Sequence, residues 1–107
     1  MTSVEKRKFR RVPMVAKIEA ETRGKQGIVE ARNISVGGML LRAAETLAEG
    51  QTIRLHFTLP GSDQEIIVQG TVQHVSPGAF MGVRFDGLDP QALAAIESYV
   101  NRTPETS

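Results

Sequence analysis

The sequence predicts an all-β fold with a C-terminal helix, arranged as a six-stranded antiparallel β-barrel. Short segments of alternating apolar and polar residues, separated by turns rich in Gly, Pro, Asp and Ser, indicate the strands. After Gly87 the apolar spacing changes from every second residue to the spacing of a helix. The length of 107 residues suits one domain, and a hydrophobic content of 40% is ordinary for a globular protein.

Three strands are predicted in the first half of the chain. The first covers 14–21, where apolar side chains share one face: Met14, Ala16, Ile18 and Ala20. Gly24 and Gly27 mark a turn, and 28–32 return as the second strand. The paired glycines Gly37 and Gly38 precede the apolar run 39–41, which predicts a third strand.

Three further strands are predicted in the second half. The alternation over 53–59 is the clearest in the chain, and turns at 60–63 and 76–78 delimit strands over 66–72 and 81–85. Gly70 inside the fifth strand predicts a bend or bulge. A closed or nearly closed barrel would hide the strand edges that otherwise pair with other chains.

A helix is predicted over about 89–101. Asp89 can cap its first turn, and Pro90 suits the first helical position because the missing N–H has no partner there. Leu93, Ile96 and Val100 recur at helical spacing, so we expect this apolar stripe to lie across the barrel. Residues 103–107 are polar and are predicted to form a disordered tail.

A basic segment precedes the first strand. Residues 1–11 hold five basic side chains and one acidic one, a local charge of +4, which leaves −3 for the rest of a chain whose net charge is +1. We therefore divide the chain into a flexible basic arm, 1–12, and a barrel domain, 13–102. Cysteine is absent, and no apolar run is long enough for a signal peptide or a membrane span. A cytoplasmic protein without membrane insertion is expected.

The arm contains two arginines four residues apart, Arg7 and Arg11. A guanidinium group offers a rigid fork of donors that fits phosphate oxygens or the O6/N7 edge of guanine, and its flat face can stack on a base. Pro13 disfavours helix at Val12, so the arm is expected to be extended or turned beside the barrel. The alternative is that these are exposed charges on a disordered terminus.

A second segment, Asn33-x-Ser35-x-x-Gly38, follows the second strand. The amide and the hydroxyl can hydrogen-bond a base or a phosphate, and Gly38 lets a ligand approach the backbone closely. The alternative is a turn that joins two strands, which such residues often form.

The two motifs together, followed by Met39-Leu-Leu and a barrel with a terminal helix, resemble a PilZ domain over about residues 5–101. The resemblance implies a bacterial receptor for cyclic di-GMP, with this ligand, no cofactor and no enzymatic activity. It implies that Arg7 and Arg11 contact phosphates and guanine faces. Asn33, Ser35 and Gly38 would line the barrel surface against a guanine base.

Four other residues are given supporting roles. Lys6 and Arg10 flank the motif arginines and would strengthen the positive field, and Gly37 adds freedom to the turn. Some PilZ domains stack an aromatic side chain on the ligand from the strand before the last hairpin, where this chain has His74. Because His74 is in phase with Val72, the other interpretation is a polar group at the mouth of the barrel.

Neither catalysis nor metal binding is predicted. Ser35 lacks the Gly-x-Ser-x-Gly context of a nucleophile elbow. His56 and His74 do not have the spacing of metal ligands, and no cysteine joins them.

The sequence therefore predicts a cyclic di-GMP receptor whose bound state presents a changed surface to a partner protein, with motility, pili, biofilm or polysaccharide export as outputs. One alternative is a PilZ-type adaptor that binds no nucleotide, although the motif positions are intact. Another is a small barrel that binds single-stranded nucleic acid, but such barrels usually expose stacking aromatics, and most aromatics here are in core phase. A monomer and a homodimer are both consistent with the sequence, as are one ligand molecule and a stacked pair.

Overall fold

Six antiparallel strands close into a barrel, and one helix follows them, which confirms the predicted architecture. The structure is a computed structural model that describes residues 9–105. The elements are β1 Val12–Thr22, β2 Lys25–Ile34, β3 Gly38–Arg42, β4 Thr52–Thr58, β5 Glu65–Ser76, β6 Phe80–Phe85 and α1 Pro90–Asn101.

The strands follow one another around the barrel in the order β1-β2-β3-β6-β5-β4. Pairing of β1 with β4, from Glu19 opposite His56 to Glu21 opposite Arg54, closes the ring. The contact between β3 and β6 therefore lies opposite the contact between β1 and β4. This arrangement separates two walls of the barrel.

Several strands are longer than the sequence pattern predicted. Arg23 and Gly24 have positive φ values of 52° and 78° and form a tight two-residue turn, so β2 already begins at Lys25. Gly27, expected in the turn, lies within the strand. At the start of the barrel, β1 begins at Val12, one residue before the predicted boundary between arm and barrel.

Register shifts interrupt three of the strand pairs. They lie between Pro13 and Ala16, between Ala31 and Asn33, and between Val72 and His74. An extra residue in one strand bends it and redirects the side chains that follow. The predicted irregularity at Gly70 is wrong, because pairing is regular there; a Cβ at this position would clash with the backbone of β6.

The interior of the barrel holds one apolar core, to which every strand and the helix contribute. Its largest fully buried side chains are Met14, Ile34, Met39, Leu41, Leu55, Ile66, Met81, Ile96, Val12 and Val72. Burial of these side chains is the main stabilising contribution to the fold. The core also fixes which residues of each strand point outward.

The helix packs on the barrel as predicted, with one exception. Asp89 caps its start, since the carboxylate accepts a hydrogen bond from the Ala92 backbone N–H at 2.7 Å. Tyr99 donates its hydroxyl proton to the carbonyl oxygen of Pro13 at 2.8 Å and so joins the helix to β1. Leu93, expected in the buried stripe, is 37% exposed, because the buried face runs through Ala92 instead. Within residues 9–105 no helix has the length and apolarity needed to cross a membrane.

Candidate functional site

The turn between β2 and β3 is held by the hydroxyl of Ser35. This oxygen accepts hydrogen bonds from the backbone N–H groups of Gly37, at 3.0 Å, and Gly38, at 3.2 Å. The Ser35 N–H donates to the Gly38 carbonyl at 2.8 Å. Ser35 is only 2% exposed. The turn is therefore a rigid element whose shape depends on this hydroxyl.

Two glycines let neighbouring groups pack closely against this turn. A Cβ on Gly38 would clash with the carbonyl oxygen of Val83 in β6, and a Cβ on Gly37 would overlap the ring of Phe9. The Gly37 carbonyl accepts a hydrogen bond from the Phe85 N–H at 2.9 Å, which fixes the turn against β6. The turn therefore packs closely against β6 at Gly38, and the Phe9 ring of the arm covers Gly37.

Arg11 connects the arm to β2. Its Nη1 donates to the Oδ1 of Asn33 at 2.9 Å, and Asn33 lies opposite Pro13 in the strand register. The two motif halves that the sequence separates by more than twenty residues thus meet through a direct hydrogen bond. Asn33 orients the guanidinium group, and Arg11 lines an open cleft beside the glycine turn.

The cleft has a volume of about 390 Å³. Within the described part of the chain its lining residues are Phe9, Arg11, Ser35, Gly37, Gly38, Gln73, His74, Gly82, Val83 and Arg84. No acidic side chain is among these, whereas two guanidinium groups are, so the cleft suits an anion. Of the residues predicted from sequence, Arg11, Ser35, Gly37, Gly38 and His74 meet here, and Asn33 lies behind Arg11.

His74 reaches the cleft because of a bulge. Because residues 72 and 74 of a regular strand share a face, the sequence predicted the His74 side chain at the mouth of the barrel. The alternation of buried and exposed residues does not continue past Val72. Gln73 is the extra residue between the pair Val72–Val83 and the pair His74–Gly82. The shift turns His74 to the outer surface, where its ring lies beside Gly82.

Arg84 was not among the predicted site residues. It lies opposite Gly38 in the register of β3 and β6, and its Nη2 is 3.3 Å from the Oδ1 of Asp86. The hydroxyl of Thr71 donates to the same carboxylate, at 2.9 Å from Oδ2. This chain of contacts positions the second guanidinium of the cleft. The sequence does indicate that the Arg84 side chain points outward, because Arg84 lies between the inward-facing residues Val83 and Phe85.

The remaining predicted residues lie elsewhere. Arg10 points away from the cleft: its Nη1 donates to the Val100 carbonyl at 2.5 Å, and its Nε is 3.8 Å from Glu105. Lys6 and Arg7 lie outside the described residues. A metal centre is not indicated either, since 9–105 contain no group of three or more His, Asp or Glu placed to hold an ion.

The family model of the PilZ domain matches residues 5–102. No curated protein matches the sequence.

Solved structures share the fold. The inhibitor of motility MotI/DgrA of Bacillus subtilis is similar with a TM-score of 0.83 and 20% identity, over 95% of this chain and 53% of that one. The PlzA protein of Borreliella burgdorferi, in complex with c-di-GMP, has a TM-score of 0.72 and 17% identity, over 91% of this chain and 42% of that one. The PilZ domain of Escherichia coli YcgR with c-di-GMP has a TM-score of 0.72 and 12% identity, over 92% of each chain. The present chain thus spans about half the length of the first two. The family match covers nearly the whole sequence, and the chain belongs to the PilZ domain family.

Proposed function

We propose that this protein is a cyclic di-GMP receptor and that the cleft between the arm, the glycine turn and β6 is its binding site. The observation that carries the proposal is the hydrogen bond from Arg11 to Asn33, which brings both motif halves to one cleft. Two structural neighbours are described as complexes with c-di-GMP, which supports the choice of ligand.

The chemistry of the cleft fits a planar dinucleotide with two phosphates. Arg11 and Arg84 supply guanidinium groups for phosphate oxygens or the guanine edge. Gly37 and Gly38 line the cleft with backbone atoms, and the Phe9 ring that lies against Gly37 is an aromatic face beside them. The ring of His74 lies on the same wall and is available for stacking.

Asn33 has an indirect part in this proposal. Its Oδ1 accepts from Arg11, so the amide holds the guanidinium in position while its NH₂ group can still donate to the ligand. Ser35 likewise shapes the turn through two backbone hydrogen bonds and keeps one proton to donate. Arg7 would add a further guanidinium from the arm, and Lys6 would add positive field.

The protein acts by binding, without catalysis, and the bound state presents a changed surface to a partner protein. The arm is coupled to the end of the helix, because Arg10, next to Arg11, donates to the Val100 carbonyl. A ligand that repositions Arg11 therefore alters the contacts of the last turn of α1. Similarity to a structure described as an inhibitor of motility supports motility as one output.

Calorimetric titration with cyclic di-GMP tests the proposal. The wild type is expected to bind saturably, and Arg11→Ala to bind about 10- to 100-fold more weakly, since charge-assisted hydrogen bonds contribute about 1.5–3 kcal/mol. Arg42→Ala is the matched control, because Arg42 is an exposed arginine at the far end of β3 from Gly38. Its affinity should equal that of the wild type.

Two other ligands distinguish the alternatives. GMP should bind weakly, because it offers one base and one phosphate. Absence of heat with cyclic di-GMP would instead indicate an adaptor without nucleotide binding. Tight binding of a single-stranded oligonucleotide with a steep salt dependence would indicate a nucleic-acid protein.

A further inference from the structure

The wall of the barrel opposite the cleft has an ordered pattern of exposed side chains. It is formed by β2, β1, β4 and β5, which are consecutive in the closed sheet. The cleft lies on the other side, where β3 meets β6. We call the wall of these four strands the rear face.

One row of residues crosses the rear face. Ile28 of β2 lies opposite Glu19 of β1, Glu19 opposite His56 of β4, and His56 opposite Ile67 of β5. Ile28 is 64% exposed and Ile67 is 49% exposed, so each end of the row presents an apolar side chain to solvent. The side chains across this row are therefore apolar, acidic, basic and apolar, in that order.

A second row, two residues further along the strands, repeats this order. Gln26 lies opposite Glu21, Glu21 opposite Arg54, and Arg54 opposite Gln69. The side chains across this second row are an amide, an acid, a base and an amide, in that order. Both rows have the acid on β1 and the base on β4, with matching side chains at the two ends.

Such rows are complementary to themselves under a two-fold axis. An axis parallel to the strands, lying in the interface above the contact of β1 and β4, exchanges β2 with β5 and β1 with β4 of the facing molecule. Ile28 then meets the partner's Ile67, and Glu19 meets the partner's His56. Each contact occurs twice, as in an isologous interface.

We propose that the rear face is a homodimer interface, with a second copy of this chain as its occupant. Glu21 and Arg54 are available for it, since within residues 9–105 neither takes part in a salt bridge although they are opposite each other. In the other row His56 already lies 3.3 Å from Glu19 and 3.3 Å from Glu65 of the same chain, so the new charge contacts between copies are those of Glu21 and Arg54. Glu21, Arg54 and the two isoleucines also line a groove of about 480 Å³ into which partner side chains fit.

The interface is small, so the dimer is weak and reversible. Four strands about 4.8 Å apart span only about 14 Å between the two isoleucines. Stable interfaces bury about 800 Å² on each partner, more than these two rows provide. We therefore expect the dimer to have a dissociation constant of up to about 1 mM, without added ligand.

Charge reversal with mixing tests the geometry. In Glu21→Arg every Glu21–Arg54 contact between copies becomes Arg on Arg, and in Arg54→Glu it becomes Glu on Glu. Each variant alone is expected to dimerise about tenfold more weakly, since two exposed ion pairs become two like-charge contacts. An equimolar mixture of the two restores both opposite-charge contacts, and so should the double variant.

Sedimentation velocity on the full chain measures the outcome. Arg42→Glu is the control for Arg54→Glu, since it makes the same charge change on β3, outside the rear face, and should dimerise like the wild type. Thermal unfolding confirms that each variant is folded, and a folding defect would persist in the mixture. A wild type that stays monomeric, or a mixture that associates no better than its components, would overturn the proposal. Since no ligand is present, this result is independent of cyclic di-GMP binding.

Discussion

Replacement of Ser35 by alanine tests how much the site depends on one buried hydroxyl. The substitution removes the acceptor of two backbone N–H groups, at 3.0 and 3.2 Å, in a residue that is 2% exposed. A buried donor left without a partner costs about 1–3 kcal/mol, and the partly buried one about 1 kcal/mol. We therefore expect Ser35→Ala to lower the free energy of unfolding by about 3 kcal/mol and the Tm by more than about 10 °C.

Urea denaturation followed by circular dichroism measures this loss. Ser62→Ala is the matched control: the Ser62 hydroxyl also accepts from a backbone N–H two residues on, that of Gln64 at 3.1 Å, but this turn is exposed. Water replaces the lost acceptor there, so the expected loss is below about 0.5 kcal/mol. Equal effects of the two substitutions would refute the argument that Ser35 holds the turn.

Three further predictions concern elements around the site. Gly38→Ala should lower the free energy of unfolding in urea by about 1–3 kcal/mol and abolish ligand binding in calorimetry, because the new Cβ clashes with the backbone of β6; unchanged binding would contradict it. Tyr99→Phe should lower the free energy of unfolding by about 1 kcal/mol and leave ligand affinity unchanged, because the Tyr99 hydroxyl joins α1 to β1 away from the cleft. A large change in affinity would argue against this separation. Asp89→Ala should reduce the Tm through a loss of about 1 kcal/mol at the helix N-terminus, and an unaltered Tm would show that the cap is unimportant.

The fold was predictable because most of the chain follows local rules. Alternation over 53–59 identified β4, and Asp89-Pro90 identified the start of the helix. The bulge at Gln73 was not predictable, because a register shift depends on the partner strand and not on local sequence. Leu93 was misplaced for a similar reason, since the orientation of the helix on the barrel decides which side of its stripe is buried.

The site was predictable in part. The convergence of Arg11 with Asn33 and the glycine turn follows from the motif spacing together with the family resemblance. Arg84 was missed because its position beside Gly38 depends on β3 and β6 being neighbours, which chain order does not indicate. The contact of Arg10 with Val100 joins residues ninety positions apart, and no local pattern signals it.

A chemical-shift titration of the ¹⁵N-labelled protein with cyclic di-GMP tests the central claim most directly. The backbone amide signals of Ser35, Gly37 and Gly38 are expected to shift in proportion to saturation, since these residues form the cleft. Those of Glu19 and His56, on the opposite wall, should stay in place at a protein concentration low enough to keep the chain monomeric. Shifts confined to the opposite wall, or none at saturating ligand, would contradict the account.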